Sequence, residues 1–378
     1  MIDNVVSLKR PSYVRGRQSF LQAAERRKAK IVSYPHGLRG RHDEELATDV
    51  CYVGPEEPEK LLVISTAVHG VEGYAGCAIL TQLFAEQLDG LDLPPDVGIL
   101  GINFVSPYGA SFASRADIGN INLNRNFLKH PDDHIENPEY AEISWLINPV
   151  NLDHSWADGF RFFTKYRKKW GNRKVQEVLT RGQYVDERGV EFGGFEESPT
   201  NALFRRILRE NIPPSVRACT CFDVHTGLGG EKDDLGAHSG VVLITEFPED
   251  SYHFRQGRRW FGKVVQSSLS NSAISTPRLG TVDHAIVQEI GKVNPACAVA
   301  AYCAEFETYD LKRVAWTCRS DNWLNNHGEL ESGRGQRIKK NMYRMFFPPT
   351  KQWRANLLKE GALLVDQAVR GLAAVDEG

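Results

Sequence analysis

The sequence contains no uninterrupted apolar stretch long enough to cross a bilayer, so a helical membrane-spanning protein is excluded. It has no basic excess, since 46 lysines and arginines stand against 48 aspartates and glutamates for a formal net charge of -2. That balance argues against a nucleic-acid partner or an anionic membrane, which usually demand a concentrated positive field. Local basic clusters at residues 26–30, 165–169 and 258–259 read as solvated helix faces. The seven cysteines are odd in number and lack metal-cluster spacing. Cys219 and Cys221, two apart on an expected strand, read as small buried hydrophobes facing one side. There is no G-x-S-x-G elbow and no cysteine with an evident histidine partner, which leaves a serine or thiol hydrolase little support. The first ten residues lack the basic start and apolar core of a signal peptide, so the expected location is cytoplasmic. No proline-rich or serine-rich linker, internal repeat or low-complexity segment divides the chain.

What is present is a chain of 378 residues, 41% hydrophobic and 25% charged, long enough to bury a large core. Apolar runs predict strands at residues 47–53, 61–68, 97–104, 217–224, 240–245 and 298–306. Amphipathic patterns predict helices at residues 75–88, 251–270, 322–344 and 352–372. Strands alternating with helices imply an α/β fold, a mixed, mostly parallel twisted sheet with helices on both faces. One domain over residues 1–378 is expected. Within it, residues 127–213 differ in texture, being polar with scattered aromatics and helical patches at 137–146 and 201–210. Such an excursion reads as a lid or substrate-facing insertion, or as an extra packed layer.

Chemistry gathers at the ends of the apolar runs. The run at residues 61–68 ends in His69-Gly-Val-Glu72 and gives way to a glycine-punctuated helical stretch. An imidazole and a carboxylate three apart can grip one metal ion from one side, and ligand sites in open α/β sheets collect beyond strand carboxyl ends. The spacing alone is cheap, since roughly one such pair arises by chance. His42 and Glu45 repeat it within a charged segment and read as a solvated face. A second strand end, Asp223-Val-His225-Thr-Gly, offers a second imidazole, and with Glu72 the two histidines make the two-histidine, one-glutamate set of a hydrolytic zinc site. The run from Arg115 to Phe127, with Asn122, Asn124 and Arg125, can hold a carboxylate through guanidinium and amide donors, or can be a loop of asparagine turns. A third strand ends in Glu305-Phe-Glu307, and either acid can serve as a base or lie at the surface.

Taken in this order, the segments resemble the zinc carboxypeptidase superfamily, above all its carboxypeptidase-like uncharacterised branch, which is related to the aspartoacylase and succinylglutamate desuccinylase deacylases. The ordered pattern is H-x-x-E, an arginine upstream of N-R, a histidine on a strand, then a strand-borne glutamate, spanning residues 61–309. The resemblance implies a carboxypeptidase-like (phosphorylase/hydrolase-like) fold and one zinc ion held by His69, Glu72 and His225. It implies Arg115 as oxyanion donor, Asn124 and Arg125 as the substrate carboxylate clamp, and Glu305 as general base. The activity it implies is metallocarboxypeptidase-like cleavage of an amide bond beside a free carboxylate, on a small peptide. Deacylation of an N-acyl amino acid and an inactive binding module on the same fold are the alternatives, with homo-oligomers allowed. The chain departs from the pattern at Asn122, where such families carry an aspartate that orients the first histidine; an amide there brings no charge and lowers ligand basicity, unless Asp223 compensates. Glu307 is an acid where a small or neutral residue is expected. For the mobile tyrosine of digestive carboxypeptidases, Tyr252, Tyr302 and Tyr309 are equal candidates.

Overall fold

A computed structural model of the chain describes residues 11–129, 136–152, 156–229 and 240–377. Eight strands form one sheet: β1 (Lys30–Arg39), β2 (Glu45–Val53), β3 (Lys60–Thr66), β4 (Val97–Asn103), β5 (Ala218–Thr226), β6 (Val241–Thr245), β7 (Val265–Ser267) and β8 (Ala298–Phe306). Their spatial order is β1-β2-β4-β3-β5-β8-β6-β7. The centre is parallel, with β3 beside β4 and β5, and β5 beside β8. The antiparallel pairings lie outside that centre, β1 with β2, β2 with β4 and β6 with β8, while β6 and β7 run parallel. This is the expected mixed, mostly parallel sheet.

Every residue of β3 and β5 is buried, as a parallel strand covered on both faces requires. Alternation along β3 divides its side chains between two cores. Leu62 and Ile64 pack with Phe20, Leu80, Trp353 and Leu357 from the helices Tyr13–Arg26, Gly73–Ala85 and Lys351–Ala373. Leu61 and Val63 pack on the opposite face with Phe204, Ile207, Ile286 and Ile290 from the helices Pro199–Asn211 and Val282–Val293. The helix Gly73–Ala85 is apolar nearly all round because the sheet lies on one side of it and other helices on the other. Among the described residues no helix is long and apolar enough to cross a membrane.

Two expected elements are corrected. The helix expected over residues 251–270 stops at Phe261, where Gly262 takes φ 69°, and the chain goes on through a 3-10 turn into β7. The helix expected over residues 322–344 is two helices, Leu311–His327 and Gly333–Phe346. Gly328 follows the first, and Ser332 caps the second by accepting from the Gly335 N–H at 3.0 Å. The segment that differs in texture contributes the helices Tyr140–Ile147, Trp156–Trp170 and Asn172–Thr180. They form a small core of their own, with Phe162, Tyr166 and Val178 packed on Trp316 of the helix Leu311–His327.

Trp353 ties the last long helix to the sheet, fully buried and donating its indole N–H to the Glu307 carbonyl at 2.8 Å. Trp353→Ala is expected to lower unfolding stability by about 3–5 kcal/mol in a denaturant titration. A change below about 1 kcal/mol contradicts that packing.

Candidate metal centre and active site

Backbone geometry brings the first pair of side chains to the sheet edge. After β3, Ala67 takes a left-handed φ of 67°, and His69 precedes the 3-10 turn Gly70–Glu72. Gly70 allows the turn to sit against its neighbour, because a Cβ there would lie 2.2 Å from the Gly109 carbonyl carbon. The second and third contributions come from neighbouring strands in register: Asp223 of β5 lies opposite Cys303 of β8, and His225 opposite Glu305. Residues two apart on a strand share a face, so these four form a square at the carboxyl edge.

His69, Glu72 and His225, distant in sequence, meet there. All three are 1% exposed. His225 Nδ1 lies 3.4 Å from Glu72 Oε2, and the two imidazole rings are 5.2 Å apart. Glu72 Oε2 also accepts from the Thr226 N–H at 3.0 Å. Arg115 closes the group, its Nε donating to Glu72 Oε1 at 3.0 Å, its Nη2 to His69 Nε2 at 2.9 Å and its Nη1 to Glu191. Asp223 accepts from Ser65 Oγ at 2.5 Å and pairs with His225 Nε2, so it supports the second histidine and not the first. Asn122 is elsewhere too: its Oδ1 accepts from the Asn124 N–H at 3.1 Å and its amide donates to Glu191 at 2.6 Å.

Histidine nitrogens and a glutamate oxygen are the donor types of a divalent-cation site. His69 Nδ1 is buried with no hydrogen-bond partner among the described residues, an expensive state unless something accepts its lone pair or its proton. A guanidinium can only donate, so the nitrogen facing Arg115 accepts, and the other nitrogen of a neutral ring carries the proton. A cation on that other nitrogen would displace the proton to the side facing Arg115. Metal binding by His69 and the Arg115–His69 hydrogen bond therefore exclude each other. Burial, reinforced by Arg115, holds the His69 pKa well below the ordinary value. Burial also opposes charge on His225, but Cys303 and Asp223 around it carry its pKa above the usual range. Among the described residues, the group whose ligand-type atoms all lie within 4.8 Å of one another is His225, Cys303 and Glu305, and His69 and Glu72 fall outside it.

In front of the group lies a cavity of about 80 Å³ lined by Arg115, Arg125, Glu191, Thr226, Arg278 and Glu305, among others. Glu305 Oε2 is buried without a hydrogen bond among the described residues, and burial raises its pKa. Glu307 lies past the strand end, its N–H donating to the Gly240 carbonyl at 3.0 Å, and it is not part of the cavity wall. Arg125 is 1% exposed and spends its donors on the carbonyls of Thr180 and Asn124. Burial, with Arg278 and Arg115 nearby, pushes its pKa down to about 10. Asn124 Oδ1 accepts from the Val282 N–H at 2.8 Å, at the start of a helix. Arg278, which the sequence reading omits, gives Nε and Nη2 to Glu246 at 2.8 Å each and has no partner for Nη1 among the described residues. Glu191, also omitted, joins Arg115, Asn122 and Arg125, the last at 3.4 Å. An arginine held between Pro277 and Gly280 was the available signal for Arg278. Nothing local marks Glu191.

No curated protein matches the sequence. The family model described as "Protein of unknown function (DUF2817)" matches residues 10–360. Among solved structures, the chain is similar to the carboxypeptidase A from Helicoverpa armigera, with 11% identity over 97% of this chain and 75% of that one and a TM-score of 0.48. It is similar to a metallo-carboxypeptidase from Burkholderia cenocepacia, with 13% identity over 93% and 68% of the two chains and a TM-score of 0.40. It is also similar to the succinylglutamate desuccinylase from Chromobacterium violaceum, with 14% identity over 88% and 74% and a TM-score of 0.37.

Glu191 is the shared acceptor of two arginines and an amide, so Glu191→Ala is expected to leave buried cations unpaired and to cost about 3–5 kcal/mol in unfolding stability. Glu191→Gln is expected to recover part of the loss. An alanine variant as stable as the parent contradicts the pairing.

Proposed function

The chain belongs to the DUF2817 family of proteins of unknown function, and for it we propose a metal-dependent hydrolase, using one zinc ion, that cleaves an amide bond beside a free carboxylate. The observation that carries the reading is the convergence of two buried imidazoles and a buried carboxylate from separate strand ends, with Glu305 in register beside His225. Two histidines and a glutamate are a hydrolytic zinc set. The ion, when bound, polarises the scissile carbonyl and lowers the pKa of a water towards about 7.

Position supports each remaining role in this reading. Glu305, buried and short of partners, is the base that takes the proton from water and passes it to the leaving amine. His69, Glu72 and His225 are the ligands, with Asp223 fixing the His225 ring from behind. Arg115, which would be freed from His69 were that ring to hold the ion, is the donor for the developing oxyanion. Arg125 and Arg278 give the cavity its positive field, with Arg278 Nη1 the donor left for the substrate carboxylate. Asn124 supports this site by fixing the start of the helix Val282–Val293.

A peptide C-terminus and an N-acyl amino acid both present a carboxylate beside the amide. The peptide is the leading substrate on the strength of the ligand set and its order. The small volume of the cavity, about 80 Å³, favours the deacylase reading. A binding module that has lost catalysis does not need Glu305.

The test measures metal-loaded protein against a library of C-terminal peptides and a panel of N-acyl amino acids. Glu305→Ala is expected to lower kcat/KM by about 10²- to 10⁴-fold with metal content unchanged. Undiminished turnover removes the base assignment. Activity confined to the acyl amino acids selects the deacylase, and no turnover of either class by the parent protein sinks the hydrolase reading.

A further inference from the structure

On the far side of the helix Gly333–Phe346 lies a second and larger cavity, of about 920 Å³. Arg15, Arg41, Arg337, Lys340, Arg344 and Arg354 line it, and no aspartate or glutamate does among the described residues. In a chain of net charge -2 this is a concentration of one sign. Arg337, Lys340 and Arg344 stand three and four residues apart, so they form one stripe along the helix. All three are exposed and have no hydrogen-bond or ion-pair partner among the described residues. Across the rim, Arg41 pairs with Glu331 through Nη2 at 2.9 Å, while its Nε is buried with no partner among the described residues. Like charges facing one concavity repel, and the three cations of the stripe take no part in the site above. An anion would offset that repulsion.

We propose that this cavity binds a soluble, multiply charged anion bearing phosphate groups. The guanidinium fork matches phosphate oxygens in pairs, and three unpaired cations on one stripe suit a ligand carrying several negative charges. The volume lies in the range of small-molecule sites. A concave wall on a protein with no overall basic excess suits a compact anion better than a long nucleic acid. The site is also joined to the metal centre. The opposite face of the same helix buries Met342 and Phe346, and the Phe346 carbonyl accepts from Thr226 Oγ1 at 2.8 Å, next to His225. Lys339, between the two faces, donates to Asp321 at 2.6 Å, and Asp321 accepts from Ser114 Oγ at 2.7 Å, one residue before Arg115.

The probe is sodium tripolyphosphate, titrated calorimetrically into the full chain at low ionic strength. One saturable site is expected, weakening as salt rises. Arg337→Ala, Lys340→Ala and Arg344→Ala together are expected to weaken binding at least about 1000-fold, at about tenfold or more for each lost charged contact. The three side chains are exposed and their removal relieves repulsion, so the melting temperature should not fall. Lys165→Ala with Lys168→Ala, on an exposed basic face elsewhere, should bind as the parent does. Prior chelation of metal should leave the affinity unchanged, which keeps this result separate from the hydrolase reading. The proposal is overturned by an absence of saturable heat, by a triple variant that binds like the parent, by a control that loses as much, by loss on chelation, or by a random oligonucleotide that binds more tightly.

Discussion

The parallel pairing of β3, β5 and β8 is the constraint on which the candidate centre depends. Because β5 and β8 run in register, His225 and Glu305 emerge side by side, and because β5 also pairs with β3, the turn carrying His69 and Glu72 opens onto the same edge. A slip of one residue between β5 and β8 sends Glu305 to the opposite face of the sheet from His225. Large apolar side chains on both faces hold the register, since any slip exposes them or buries polar groups in their place. The fold thus specifies the chemistry through packing that itself does no chemistry.

Charge is arranged on that frame so that few buried ions stand alone. Glu72 meets Arg115, His225 and a backbone amide; Glu191 meets Arg115, Arg125 and Asn122; Glu246 meets Arg278 and Ser268. Such pairs contribute little net stability over apolar substitutes, but leaving one partner unmatched is costly, which makes them positional devices. Arg115 stands apart within this scheme because it reaches both Glu72 and His69. Its hydrogen bond to the ring satisfies one nitrogen and, by fixing the proton on the other, keeps the histidine neutral. If His69 held a metal ion, that bond would be given up and the guanidinium freed beside the cavity.

Much of this was legible in the sequence. The central strands are long β-rich apolar runs, and their ends carry His69, Glu72, His225 and Glu305 in plain view. His42 and Glu45, with the same spacing, are exposed, as the absence of a preceding apolar run indicated. Cys219 and Cys221 are buried with their sulfurs 3.4 Å apart, as residues on one side of a strand should be. What escaped was structure with weak local signal. β1 carries Pro35 and Gly37 and shifts register near them, tolerable on an edge strand but unlike a strand in pattern. The helix Tyr13–Arg26 buries mainly Tyr13, Phe20 and small residues, too thin a stripe to stand out. β7 has three residues and follows a helix in a segment of helical texture. Glu191 and Arg278 escaped for another reason: each acts through partners far away along the chain, and only folding discloses them. Asp223 differs, since its partner His225 lies two residues along on the same face of one strand.

Metal content decides the central claim most directly. The protein, purified without chelator and dialysed against metal-free buffer, is analysed by elemental mass spectrometry beside His69→Ala. The account predicts close to one equivalent of a divalent transition ion, zinc foremost, in the parent and a large loss in the variant. A parent without stoichiometric metal, or a variant that retains all of it, contradicts the account.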